Sequence, residues 1–276
     1  MSSRKAAGPS TADLRESLAK LVADATESEI STRRRRKLEA EIRGITEDLG
    51  DLLRKLDPVA EPAAVFDPSN PKIVGRFVAL ALVAQERMPL AAVPQTYGSG
   101  IYAIYYKGAL PAYAAISGTE SPIYIGTASP SVNNARTAYE QGSKLAERIN
   151  YHGRNISKAI STLSISDFEF RSLVVQSGWE KQAESYLIHL FKPVWNKETQ
   201  IVSGFGKHGD SAEMRKHGRS PWDTLHPARA WAGESDSDQK SPEQINSELG
   251  QHFQSNRIYK DLNEILADFL EELRQV

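Results

Sequence analysis

Six polar residues, taken in chain order, form a set whose chemistry could act on one substrate. The set comprises two tyrosines, an arginine, a histidine, a glutamate and an asparagine: Tyr102, Tyr124, Arg148, His152, Glu184 and Asn196. A carboxylate is a hard ligand suited to Mg²⁺, and a guanidinium offers a planar fork of donors to a phosphate. Each residue alone has an ordinary structural explanation, as a packed ring, a surface carboxylate or a helix cap. Their order along the chain is therefore the informative feature.

The two tyrosines lie in stretches that are typical of paired β-strands. Residues 101–106 are mainly β-branched and aromatic, and residues 123–126 form a second short run of the same kind. The segment between them contains glycines and a proline, which predicts a loop. Neighbouring strands would bring the hydroxyl groups of Tyr102 and Tyr124 together at one edge. A hairpin whose tyrosines merely pack is the alternative.

Helices are predicted to carry the arginine, the histidine and the glutamate. A helix over about residues 143–163 places Arg148 and His152 on one face, because they are four residues apart. A third strand is predicted over residues 166–175. A helix over residues 179–191 has Glu184 in its middle and stops at Pro193, with Asn196 just beyond.

The composition limits the kinds of protein that this chain can be. Its 276 residues are enough for one large domain or two smaller ones, and 40% of them are hydrophobic. The chain has no cysteine, which excludes disulfides and thiolate metal sites and fits a reducing compartment. The longest apolar run, residues 77–84, is too short to span a bilayer. These features predict a cytoplasmic protein with no membrane partner.

The net charge of −1 conceals a gradient along the chain. From Gly233 onward there are ten acidic and four basic residues, which leaves 30 basic and 25 acidic residues in the first 232. This larger part therefore carries a net charge of +5. The basic charge of the first 232 residues is compatible with nucleic acid as a partner, although the whole-chain pI near 6.6 argues against such a partner.

Four segments are predicted along the chain. Residues 1–60 form an N-terminal helical arm, 61–97 a linker and a buried helix, 98–232 the core, and 233–276 an acidic linker followed by amphipathic helices. The arm contains an apolar stripe spaced by three and four residues: Leu38, Ile42, Ile45, Leu49, Leu52 and Leu56. Such a stripe indicates core or helix-pair packing. The alternative is an arm that dimerises or wraps around DNA, which the preceding run Arg33-Arg34-Arg35-Arg36 favours slightly.

The ordered set resembles the GIY-YIG nuclease family. Gly100-Ile101-Tyr102 and Tyr124-Ile125-Gly126 are the two triplets that give the family its name, and the other four residues follow in the family's order. The resemblance implies an α/β (α+β) fold with a small three-stranded antiparallel sheet flanked by helices. It also implies hydrolysis of phosphodiester bonds in double-stranded DNA with one Mg²⁺ ion.

The resemblance also implies a role for each residue of the set. Tyr102 would act as the general base with His152 as proton relay, because a phenol with its usual pKa near 10 is a poor base. Tyr124 would orient the water or the phosphate, and Arg148 would bind the phosphate. The remaining two roles are metal binding by Glu184 and support of the arrangement by Asn196. Arg136 stands at a spacing commoner in the family, but it has Glu140 rather than a histidine four residues on.

Two further stretches resemble the Type II restriction endonucleases of this family that cut CCGCGG: Gly204-Phe205-Gly206 and the segment from Trp222-Asp223 to His226-Pro227. Basic residues between them are predicted to contact DNA: Lys207, His208, Arg215, His217 and Arg219. A palindromic target calls for a homo-oligomer, either a dimer or a tetramer. The alternatives are a structure-specific or repair nuclease, and a non-catalytic DNA-binding protein with a helical oligomerisation arm.

Overall fold

A computed structural model of the chain describes residues 11–27, 30–57, 59, 62, 65–206, 218–233, 235 and 237–274. The chain divides into two compact units, Met1–Val65 and Phe66–Val276. The larger unit contains every residue of the candidate set.

Within its described residues, the smaller unit contains two helices, α1 (Ala12–Glu27) and α2 (Thr32–Leu56). Helix α2 begins where the Ser31 side chain accepts a hydrogen bond from the Arg34 backbone N–H, so it starts three residues later than residue 29. None of its residues is buried, and its apolar stripe is largely exposed.

The larger unit is built on a four-stranded antiparallel sheet. Its strands are β1 (Met88–Pro89), β2 (Gly100–Tyr106), β3 (Tyr124–Ala128) and β4 (Phe168–Val174), and their order across the sheet is β1-β4-β2-β3. The expected three-stranded sheet is therefore wrong by one strand. The added strand has two residues and pairs with Phe170 and Glu169 at the outer side of β4. An edge position suits Pro89, because proline has no N–H to donate to an inner ladder.

The predicted buried helix before the sheet is shorter than its apolar sequence suggests. The apolar sequence predicts a helix over residues 72–87. Helix α3 (Pro71–Val83) starts after an Asn70 cap and ends four residues earlier than predicted. The chain leaves the helix at residue 84 and enters β1 at Met88, directly after the predicted end of the helix.

Helices cover both faces of the sheet. After the short helix α4 (Ala138–Gln141) come α5 (Lys144–Lys158) and α6 (Glu180–Phe191). Because side chains alternate along a strand, Ile101, Ala103 and Tyr105 of β2 pack with α3 and α6, whereas Tyr102 and Ile104 face α5. The alternation in β2 therefore places Tyr102 on the face of the sheet that packs against α5, the helix that carries Arg148 and His152.

The C-terminal part of the unit packs around this core. It contains α7 (Pro221–Leu225), α8 (Ala230–Gly233), α9 (Pro242–Ser255) and α10 (Leu262–Arg274). Helix α10 buries Ile265 and Phe269, and the Phe269 ring packs edge-on against Phe77 of α3. Part of its apolar face is thus covered within the unit. In the described part of the chain, no helix has the length and apolarity needed to cross a membrane.

Candidate active site

The register of β2 and β3 brings the two tyrosines together. Tyr102 lies opposite Gly126, so Tyr124 projects from the same face one pleat away, and the two ring centroids are 6.2 Å apart. Gly126 is required here, because a Cβ atom on it would lie 2.5 Å from the Tyr102 hydroxyl oxygen. The glycine of the second triplet thus makes room for the tyrosine of the first.

His152 lies against both tyrosines from helix α5. It is fully buried, and its Nε2 atom is 2.8 Å from the Tyr102 hydroxyl oxygen. The imidazole centroid is 5.0 Å from that of Tyr124. Arg148, one helical turn earlier on α5, lines a cleft together with Tyr124.

Both tyrosines are protonated near neutral pH. Burial raises the pKa of Tyr102 well above its ordinary value, Tyr124 raises it further, and Arg148 partly opposes these effects. Burial also raises the pKa of Tyr124, with Arg148 opposing and Glu184 adding to the rise. Because both phenols keep their protons, any removal of a proton by Tyr102 must be coupled to transfer of its own proton to a neighbour.

Glu184 projects from α6 into the same region. Its Oε2 atom accepts a hydrogen bond from the Thr127 hydroxyl of β3 at 3.2 Å. A cleft of about 520 Å³ is lined by Tyr124, Arg148, Glu184 and Asn196, together with Lys197 and Glu198. Burial raises the pKa of Glu184, and the bond from Thr127 partly offsets that rise. Four of the six predicted residues therefore line one cleft, with Tyr102 and His152 directly behind Tyr124.

Asn196 fixes the backbone of the second triplet. Its Oδ1 atom accepts from the Ile125 N–H at 2.9 Å, and its Nδ2 atom donates to the Ile125 carbonyl at 2.8 Å. The buried amide thus pairs both backbone groups of Ile125 on the free side of β3, as a further strand would. Asn196 holds the strand that carries Tyr124.

The segment Gly204-Phe205-Gly206 closes the site from the other side, which the sequence did not reveal. The Phe205 ring stacks on His152 with centroids 4.4 Å apart and an interplanar angle of 25°. The Gly206 carbonyl accepts from Arg148 Nη2 at 3.5 Å. In the sequence only a local resemblance singles out these residues, because their contacts depend on the chain returning to α5 more than fifty residues later.

The stretch from Trp222 to Arg229 supports this segment from inside the core. Arg229 forms a buried ion pair with Asp223, with two nitrogen–oxygen distances of 2.6 Å, and donates to the Gly204 carbonyl at 3.1 Å. His226 is buried and bonds to the Tyr113 hydroxyl at 2.6 Å. Burial lowers the pKa of His226 to about 3, so this histidine is neutral.

Two predicted residues that the structure describes, Arg136 and Arg219, do not line the cleft. Arg136 is exposed and does not line it, and its backbone N–H donates to Glu140, which caps α4. Four predicted DNA contacts lie outside the described residues: Lys207, His208, Arg215 and His217. Arg219 is described, and its guanidinium forms two hydrogen bonds to Asp238, at 2.7 and 3.1 Å.

The donor set around Glu184 suits a hard divalent cation held by few protein ligands. Within the described ranges, no group of three or more His, Asp or Glu side chains is arranged to hold a metal. Glu184 faces the cleft, and Glu198 adds negative charge that further raises the Glu184 pKa. Mg²⁺ retains most of its water ligands and is commonly bound through one or two carboxylates, so these residues fit Mg²⁺.

Comparison with protein families identifies the class of this arrangement. The family model described as the Eco29kI GIY-YIG domain matches residues 94–253, which is more than half of the chain. The chain belongs to this family of restriction endonucleases and is a GIY-YIG nuclease. The matched span contains all six residues of the set and most of α9. No curated protein matches the chain.

Proposed function

We propose that this protein is a Type II restriction endonuclease that hydrolyses phosphodiester bonds in double-stranded DNA with Mg²⁺. The observation that carries the proposal is the convergence of Tyr102, Tyr124, Arg148, His152 and Glu184 on one cleft and its back wall. These five side chains come from two strands and two helices, and the set includes a proton acceptor, a phosphate-binding group and a metal ligand.

The proton of the attacking water is taken up by a relay of two residues. Tyr102 accepts the proton at its hydroxyl oxygen while it passes its own proton to His152 Nε2, 2.8 Å away. The raised pKa of Tyr102 makes this coupling necessary, since the isolated phenol would not ionise at neutral pH. Tyr124 lies at the cleft surface beside them and orients the water or the phosphate.

Arg148 and Glu184 both line the cleft and act on the phosphate there. Arg148 donates to the non-bridging oxygens and stabilises the charge that develops on them. Glu184 would hold the Mg²⁺ ion, which when bound would stabilise the developing charge and the leaving oxygen. The role of Asn196 is to keep Tyr124 in place through the Ile125 backbone.

We propose a G·C-rich palindrome such as CCGCGG as the target, cut by a homo-oligomer with one active site for each strand. Arginine and lysine commonly read guanine in the major groove, and the segment 207–219 is rich in basic residues. Helix α2 is the proposed contact between subunits. Its apolar stripe follows the alternating three- and four-residue spacing of a coiled coil, and no residue of the helix is buried.

Digestion of a plasmid that contains CCGCGG tests the proposal. With Mg²⁺ the protein is expected to give discrete fragments whose ends map to one sequence, and with EDTA it should give none. A smear, or preference for flaps and lesions over intact duplex, would instead identify a structure-specific or repair nuclease. DNA binding without any metal-dependent cutting would identify a non-catalytic DNA-binding protein.

A further inference from the structure

A second cleft extends beyond Glu184 along helix α6. It has a volume of about 520 Å³ and shares Glu184, Ile188 and Glu198 with the active-site cleft. Its far end is lined by Lys192 at the end of α6 and by His252 and Asn256 at the end of α9. The two clefts thus form a groove that is acidic at the shared carboxylates and basic at its far end.

Lys192 adopts a backbone conformation that side chains disfavour. It terminates α6 with φ 45° and ψ 56°, in the left-handed region where helices usually have glycine. In this conformation lysine is less favourable than glycine by about 1 kcal/mol or more. The backbone geometry therefore does not explain why lysine occupies this position. A function of the side chain would account for lysine at this position.

A closed ring of hydrogen bonds fixes both the backbone and the ammonium group of Lys192. His252 Nε2 donates to the Lys192 carbonyl at 2.9 Å, and Asn256 Nδ2 donates to His252 Nδ1 at 3.2 Å. The Lys192 ammonium in turn donates to Asn256 Oδ1 at 2.9 Å. The direction of these bonds requires neutral His252, and burial lowers the His252 pKa accordingly. The ring holds a single positive charge at a defined place.

This charge has no acidic partner among the described residues. The ammonium bonds to an amide oxygen, and no described Asp or Glu forms an ion pair with it. An ammonium group has three donors, of which the ring uses one. The two others are available to an anion that enters the groove.

We infer that Lys192, held by His252 and Asn256, binds a DNA phosphate. This phosphate lies on the same strand as the phosphate being cut, a few nucleotides away from it. Eight residues separate Lys192 from Glu184 on α6, which is about 12 Å along a helix. Successive phosphates of one strand advance by about 3.4 Å along the duplex axis, so this distance spans a few nucleotides. The inference rests on the proposed function, because it assigns the cleft at Glu184 to the scissile phosphate.

DNA binding without Mg²⁺ tests the inference separately from cleavage. The probe is a short fluorescent duplex that contains CCGCGG, titrated in EDTA at several salt concentrations. Lys192→Gln is expected to weaken binding by roughly tenfold and to reduce the slope of log K against log salt by about 1. Lys192→Arg keeps the charge and should retain the slope. Asn256→Asp supplies a carboxylate to the ammonium and should weaken binding as Lys192→Gln does.

Lys107→Gln is the matched control. It removes the same charge from a lysine that pairs with Glu169 and lines neither cleft, so the affinity and the slope should not change. If Lys192→Gln binds with the wild-type affinity and salt slope, the inference is wrong while the nuclease proposal stands. If the wild-type protein neither binds nor cuts the duplex, the proposed function is wrong and the inference falls with it.

Discussion

Asn196 offers the clearest test of how the site is held together. Its side chain is the hydrogen-bonding partner of the Ile125 N–H and of the Ile125 carbonyl on the free side of β3. Asn196→Ala removes both bonds and leaves two backbone groups unpaired in a buried place. Each unpaired buried group costs about 1–3 kcal/mol, so the free energy of unfolding should fall by at least about 2 kcal/mol.

Urea unfolding followed by tryptophan fluorescence measures this loss. All four tryptophans, at positions 179, 195, 222 and 231, lie in the larger unit, so the signal reports the unit that contains the site. Asn263→Ala, at an exposed position of α10, is the control and should change the free energy of unfolding by less than about 0.5 kcal/mol. A loss for Asn196→Ala no larger than that of the control would refute the reasoning.

Two further predictions concern the core behind the cleft. Phe205→Leu removes the ring stacked on His152 and should lower kcat by a larger factor than it changes KM. Phe191→Leu is the control, because this buried residue packs on the other face of the sheet, and it should leave kcat unchanged. Steady-state cleavage assays of both variants test the prediction. His226 is neutral in the folded protein with a pKa of about 3, while its unfolded pKa is near 6.5, so the unfolded state binds the extra proton between these values. Wild-type stability should therefore fall from pH 7 to pH 5 by about 2 kcal/mol more than that of His226→Gln, as measured by urea unfolding at the two pH values.

The sequence predicted the elements that have a clear period or a clear stop. Helix α6 is predicted because its apolar positions recur at helical spacing and Pro193 follows it. The predicted helix over about residues 143–163, which corresponds to α5, places Arg148 and His152 on one face because they are four residues apart. The choice of Arg148 over Arg136 followed from the same spacing. In the structure Arg148 lines the cleft, and Arg136 does not.

Features that depend on distant parts of the chain could not be predicted in this way. The two-residue strand β1 exists through its pairing with β4, and its own sequence, Met88-Pro89, has no strand period. The stacking of Phe205 on His152 and the bond from Thr127 to Glu184 join residues more than fifty positions apart. The segment 222–227 resembles restriction enzymes in sequence, yet its Trp222, Asp223 and His226 are buried supports.

The measurement that tests the central claim most directly is plasmid cleavage by Glu184→Gln in Mg²⁺, with binding of the duplex measured in EDTA. Glutamine keeps the size of the side chain and can still accept from Thr127, but it lacks the charge that holds a divalent cation. Cleavage should fall by about a hundredfold or more while binding stays within a few-fold of wild type. Glu147→Gln, an exposed carboxylate beside Arg148 that does not line the cleft, should cut normally. Cleavage by Glu184→Gln at the wild-type rate would contradict the account.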